Sequence, residues 1–244
     1  MITTLSLFGC GASNVQPAAT RPAPPTLDAA PTVANTLAPQ AATSSPTAAP
    51  PSNSQNTPKD TPPDVIRRAL LAQLQTPRER VLTKITGADG TTTEMLLEFI
   101  APASLHVRSE AMELIAVEGK GTWMKNGDAW EQAPQTLAQA FIDVRDPEKI
   151  QDMLDWIVWS DAQFVGAEVL NGKPMWLYRY NTLVKGLGKG GGDLKGENQL
   201  WIGALDGLPY KLVSVSDSAL TEGSKDTTEQ THEYDAAFTI EPPQ

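Results

Sequence analysis

Twelve of the 20 prolines in this 244-residue chain lie between Pro17 and Pro63, and no aromatic residue occurs between Phe8 and Phe99. From Gly11 to Pro63 the chain is almost entirely Ala, Pro, Thr, Ser, Asn and Gln. Such a stretch cannot bury enough apolar surface to offset the entropy of ordering it, so it reads as disordered. Folding is thereby confined to residues 61–244, enough for one domain with a sizeable core. A Pro-rich chain extends about 3.1 Å per residue, so the stretch reaches on the order of 150 Å at most.

Ahead of it, the apolar run Leu5 to Phe8 leads through Gly9 into Cys10, the only cysteine. A bacterial lipoprotein signal ends this way: cleavage falls before the cysteine, whose thiol carries a diacylglyceryl group. The reading divides the chain into part of a signal peptide (1–9), a disordered tether (10–60) and a folded domain (61–244). It places the protein outside the cytoplasm, anchored at the cell surface or periplasmic face through Cys10. Met1 to Gly9 holds no Lys or Arg, and its apolar run is short against the roughly 7–15 residues of a secretory signal, so the signal is expected to begin upstream. An ordinary N-terminus with a chance cysteine is the other reading; the tether favours the anchor.

Arg21, Lys59, Asp28 and Asp60 cancel, so the whole net charge of −10 falls on residues 61–244. That balance argues against nucleic acid, whose phosphates need Lys and Arg against them. With no cysteine after Cys10, the domain has neither disulfides nor a thiolate metal site. No later run approaches the ~20 apolar residues of a membrane span.

Thr61-Pro62-Pro63-Asp64 opens a helix, with Thr61 a possible cap and proline in the first turn. Ile66, Leu70 and Leu74 give its apolar stripe, and Gln75-Thr76-Pro77 ends it. The period then drops to two. Arg78–Thr86 is a strand, Gly87-Ala88-Asp89-Gly90 a turn, and Thr91–Ile100 a second strand with Met95, Leu97 and Phe99 opposite Glu94 and Glu98. Leu105 and Val107 oppose His106 and Arg108. Met112–Val117 follows, then Thr122–Lys125 and Ala129–Ala133 across Asn126-Gly127-Asp128. Gln135–Val144 is a short helix. Asp146-Pro147 caps another, with Ile150, Met153, Leu154, Ile157 and Val158 on one face, widened by Trp156 and Trp159. Strands resume at Gln163–Leu170, Met175–Thr182, Gln199–Ala204, Leu208–Ser216 and Asp226–Tyr234. The expected fold is α+β: a strongly curved antiparallel sheet of about eleven strands with helices on one face.

Leu200-Trp201-Ile202-Gly203-Ala204-Leu205-Asp206-Gly207-Leu208-Pro209-Tyr210-Lys211 resembles the W-I-D-x-x-T-G-L-P-x-K hairpin of the LolA/LppX-type superfamily, with Gly203 where that family often has Asp and Asp206 where it often has Thr. The closing Tyr234-x-x-x-Phe238-x-Ile240-x-Pro242 and the Trp123–Trp130 hairpin are similar to its pattern too. The resemblance spans roughly residues 62–243 and rests on structural turns. It implies a half-open β-barrel whose helices lid the concave face, and a cavity that holds acyl chains. It also implies a lipid or an acylated lipoprotein as partner, in a protein that carries, presents or senses it.

On that expectation the lining candidates are Met95, Leu97, Phe99, Leu105, Val107, Met112, Leu114, Leu154, Ile157, Trp176, Tyr178, Leu200 and Ile202. Methionines suit a wall that repacks around variable chains. The same residues would equally build a filled core, which would make the domain a non-carrier interaction or sensor module. Lys185, Lys189 and Lys195 form a basic cluster for anionic head groups on an acidic domain. Gly186-x-Gly188-x-x-Gly191 matches a dinucleotide fingerprint, but a strand rather than a helix follows it. His106 and His232 have no metal-ligand spacing, no Ser sits in a G-x-S-x-G elbow, and Glu94 and Glu98 read as a solvated face. The residues point to no enzyme, no cofactor and no metal, and to a monomer.

Overall fold

The computed structural model describes residues 59–186, 192–218 and 223–244. Cys10, the tether up to Pro58, Lys189 and most of the glycine fingerprint lie outside the described residues.

The elements run α1 (Pro62–Leu74), β1 (Arg78–Thr86), β2 (Thr92–Ile100), β3 (Ser104–Ser109), β4 (Glu113–Val117), β5 (Gly121–Asn126), β6 (Ala129–Ala133), α2 (Gln135–Asp143) and α3 (Pro147–Trp156). They continue with β7 (Ile157–Leu170), β8 (Lys173–Val184), β9 (Leu194–Gly203), β10 (Pro209–Asp217) and β11 (Lys225–Glu233). The strands make one eleven-stranded antiparallel sheet in the order β6-β5-β4-β3-β2-β1-β11-β10-β9-β8-β7. Each meander is built of hairpins. The first walks outward from β1 to β6, α2 and α3 carry the chain to the other edge, and the second walks back until β11 pairs with β1.

Turn chemistry sets much of this register. Gly90 takes φ 80° and the Asp89 carboxylate accepts from Thr91 N at 2.8 Å, which closes β1 onto β2. Asn171 and Gly172, both at positive φ, close β7 onto β8. Edge strand β7 shifts register between Ser160 and Gln163 and again between Phe164 and Gly166. Such bulges twist an edge away from stray pairing.

Cross-strand partners share a face, so the register traces one continuous inner surface. It runs Leu114, Val107, Leu97, Val81 and His232 on one side of the β1–β11 junction. It continues Thr83, Gln230, Leu212, Leu200 and Tyr178 on the other. All three helices pack on this face, α1 and α3 over the β7–β10 half and α2 over β3–β5.

Four expectations need correction. The α3 stripe stops at Trp156. Ile157 is already extended and pairs with Val184, because two β-branched residues at the helix end fit the neighbouring edge better than another turn. Trp156 is therefore off the stripe and 76 % exposed, whereas Trp159 stacks on Tyr180 at 5.2 Å. The Thr61 side chain caps no helical N–H, although its carbonyl accepts from Val65 N at 3.1 Å; its hydroxyl donates to the Asp64 carboxylate instead. Strand β9 starts at Leu194, five residues before Gln199, because Gly196 and Asn198 face inward and mask the alternation. Glu98 is buried, not solvated. Arg80 pairs with it at 2.6 Å and His106 lies 3.3 Å away, within a ladder Lys125–Glu113–His106–Glu98–Arg80–Glu233 across six neighbouring strands.

Candidate functional site

The inner face gathers every lining candidate, but into two clusters. Leu154, Ile157, Tyr178, Leu200 and Ile202 are buried beneath α1 and α3, together with Val65, Ile66, Leu70 and Leu212, and Trp176 packs against them. Phe99, Leu105, Val107 and Leu114 are buried beside α2 with Ala138 and Phe141, and Met95, Leu97 and Met112 pack against them. The first cluster exists because α1 and α3 each carry an apolar stripe. The second rests on Ala138 and Phe141, the buried residues of α2.

A buried polar group lies near the join of the two clusters. Glu79 on β1 ion-pairs with Arg145 from the α2–α3 junction. Its other oxygen lies 2.8 Å from His232 Nδ1 on β11 and accepts from Gln73 Nε2 of α1 at 2.8 Å. Arg145 Nη2 also donates to Gln73 O at 3.2 Å and Thr76 Oγ1 at 3.2 Å, and its guanidinium lies 4.5 Å from the Phe99 ring centroid. One arginine thus ties the helical insert to the end of α1, to β1 and to a ring of the second cluster. Burial, with the Arg145 charge adding, pushes His232 down to about 3, so it is neutral at physiological pH. Its Nδ1 is then the donor to the Glu79 carboxylate. Burial also lowers Arg145 to about 10, which leaves it charged.

Sequence reasoning missed this group. Gln73 falls in register with the apolar stripe of α1, His232 lies in a strand without apolar residues, and Glu79 and Arg145 sit in plain polar contexts. The overlooked signal is β11 itself: Lys225–Glu233 holds no apolar residue, yet sits centrally in the sheet with Thr228, Gln230 and His232 buried.

Two of the cavities among the described residues lie towards strand ends and loops. One of about 260 Å³ is lined by Lys173, Met175, Tyr210, His232 and Tyr234, among others. Another of about 350 Å³ lies beside α2, between Ala103, Ala116, Lys120, Thr122, Ala138 and Ile142. Of the head-group lysines, Lys185 and Lys195 are exposed. In the hairpin between β9 and β10, the Asp206 carboxylate occupies the space that a Cβ at Gly203 would need, and Tyr210 donates to Asp206 at 2.7 Å.

No family model matches the chain, and no curated protein is similar to it. Solved structures do match. The lipoprotein LppX of Mycobacterium tuberculosis is 14 % identical over 74 % of this chain and 98 % of its own, with a TM-score of 0.49. LprF of Mycobacterium bovis is 13 % identical over 75 % and 96 %, also at 0.49. A LolA superfamily protein from Nitrosomonas europaea is 9 % identical over 71 % and 92 %, at 0.30. At these identities and scores the likeness bears on no ligand or partner.

Proposed function

We propose that the folded domain binds a lipid, or the acyl chains of a lipoprotein, between the inner face of its sheet and its helices, and carries or presents them outside the cytoplasm while Cys10 anchors the chain to a membrane. The carrying observation is the inner face itself: one continuous surface under three helices, holding two apolar clusters and a buried ion pair. Each buried CH₂ contributes about 0.8 kcal/mol, so one acyl chain supplies most of the affinity of such a site. Opening requires a helix to lift. The α2–α3 insert, held near its centre by Arg145, is the natural moving part, and a half-barrel curvature of the sheet belongs to this reading. Lys185, Lys189 and Lys195 would meet anionic head groups. No catalytic step enters this role.

A second reading, a filled-core interaction or sensor module, draws on the packing of both clusters and the position of these two cavities towards strand ends and loops. Native mass spectrometry of the protein purified from its host membrane separates the two. Co-purified lipid, or uptake of added lipid at one per chain, supports the carrier. A homogeneous, lipid-free chain that takes up none overturns it.

A further inference from the structure

The His232 side chain is 6 % exposed, and only one of its ring nitrogens is engaged. Nδ1 lies 2.8 Å from the Glu79 carboxylate and 3.4 Å from Gln73 Nε2. Because the carboxylate fixes the proton on Nδ1, Nε2 is a bare acceptor. It has no hydrogen-bond partner among the described residues. Glu79 and Gln73 close one edge of the ring, and the rest of it lines the cavity of about 260 Å³ where β8 and β10 start and β11 ends. A buried acceptor left unpaired is costly, and the cavity beside it is where a partner can enter.

The rest of the wall is joined to His232 ring by ring. Tyr234 stacks on it at 6.3 Å, Tyr210 meets Tyr234 edge-on at 5.4 Å, and Lys173 Nζ lies 4.5 Å from the Tyr210 ring centroid. Both phenols are already committed, since Tyr234 donates to Pro209 O at 2.6 Å and Tyr210 to Asp206 at 2.7 Å. They therefore offer ring surface, with the buried Met175 beside them. Lys173 Nζ donates to Tyr210 Oη at 3.2 Å and to Asp235 at 3.3 Å, which leaves one of its three N–H groups for a ligand. Asp235 already neutralises Lys173, and Glu233, paired with Arg80, lines the same cavity, so a further anion is disfavoured.

Room and chemistry together define the ligand. A cavity of about 150 Å³ holds a benzene ring, so about 260 Å³ holds one ring with a small group at each end. One end must donate, to His232 Nε2. The other must accept, from Lys173, and the middle must be an apolar ring that packs against Tyr210 and Tyr234. We infer that this cavity binds a small neutral phenol bearing a carbonyl substituent, its hydroxyl donating to His232 Nε2 and its carbonyl accepting from Lys173 Nζ. The inference goes beyond the acyl-binding reading and does not depend on it.

The test is calorimetric titration of the full chain with methyl para-hydroxybenzoate, with its ether methyl para-methoxybenzoate, and with the anion para-hydroxybenzoate. The wild type should bind the first at one per chain and at least tenfold more tightly than either of the others. In nitrogen NMR of histidine-labelled protein, the Nε2 resonance of His232 should move on addition of the phenol, and those of His106, the other histidine, should not. His232→Gln should bring the phenol and its ether to within about threefold of each other. Lys173→Met, at a half-exposed side chain, should weaken both at least fivefold with thermal stability little changed. It carries the test together with the NMR shift if His232→Gln unfolds. No binding at millimolar phenol, equal affinity for phenol and ether in the wild type, or an unmoved His232 resonance overturns the inference and leaves water as the partner of Nε2. None of these outcomes bears on acyl binding, which native mass spectrometry tests separately.

Discussion

Arg145→Met should destabilise the domain severely, although the residue touches no lining candidate except the ring of Phe99. The reasoning starts from burial: the Arg145 and Glu79 side chains are 6 % and 1 % exposed. Removing one partner of a buried pair strands the other charge, at a cost of about 3–5 kcal/mol. Here the stranded group is the Glu79 carboxylate, left with only the neutral partners Gln73 and His232. For a domain of this size about 1 kcal/mol shifts Tm by about 2–4 °C, so the expected fall is roughly 6–20 °C. Glu79→Gln should cost a similar amount by stranding the guanidinium. The double variant should then be less destabilised than the sum of the singles by roughly 2 kcal/mol, the signature of direct coupling. Urea denaturation of the four proteins at pH 7 gives all four terms of the cycle. A loss below about 1 kcal/mol for Arg145→Met, or additivity within about 0.5 kcal/mol, would refute the claim that this pair fastens the α2–α3 insert.

Further outcomes follow from other parts of the molecule. His232 is depressed from 6.5 to about 3, so the unfolded chain binds one more proton than the folded one between those values, and stability falls as pH drops through that window. Between pH 7 and 5 the wild type should lose about 2 kcal/mol more than His232→Gln, and parallel curves for the two would contradict the assignment. Gly203→Ala should cost about 1–3 kcal/mol, because its Cβ would sit 2.9 Å from Tyr210 Cε2 and displace the Asp206 carboxylate. Asp206→Thr should relieve part of that cost in the double variant; equal stability of wild type and Gly203→Ala would remove the argument. If Cys10 carries the lipid, Cys10→Ser should move the protein from the membrane fraction to the soluble one, and continued membrane association would contradict the anchor.

The sheet was legible wherever a turn dipeptide sat between alternating runs. Asp89-Gly90, Asn126-Gly127, Asn171-Gly172 and Asp206-Gly207 each mark a hairpin that the structure contains. The order of elements followed, since a meander interrupted once by helices leaves few ways to pair. Legibility ended where polar residues face inward. Asn198 and Gly196 hid the start of β9, and the polar string of β11 would read as a solvated edge although the strand lies mid-sheet. The Glu79–Arg145–His232 group was invisible for a different reason. Its members come from β1, the helical junction and β11, and only the closing pairing of β11 with β1 brings them together. The lining candidates illustrate the same limit. Periodicity placed them on one face, but it carries no information on how helices divide that face, and the two clusters follow α1 and α3 on one side and α2 on the other.

The central claim is that acyl chains enter between the inner face and the helices. Photo-crosslinking with a palmitoyl probe carrying a diazirine near its terminal methyl, followed by peptide mapping, tests it most directly. The account predicts adducts on inner-face positions of β8 and β9 and on α1 or α3, such as Leu200, Ile202, Leu70 and Leu154. Adducts confined to outward positions such as Leu82, Val165 and Val169, or none at saturating probe, would contradict it.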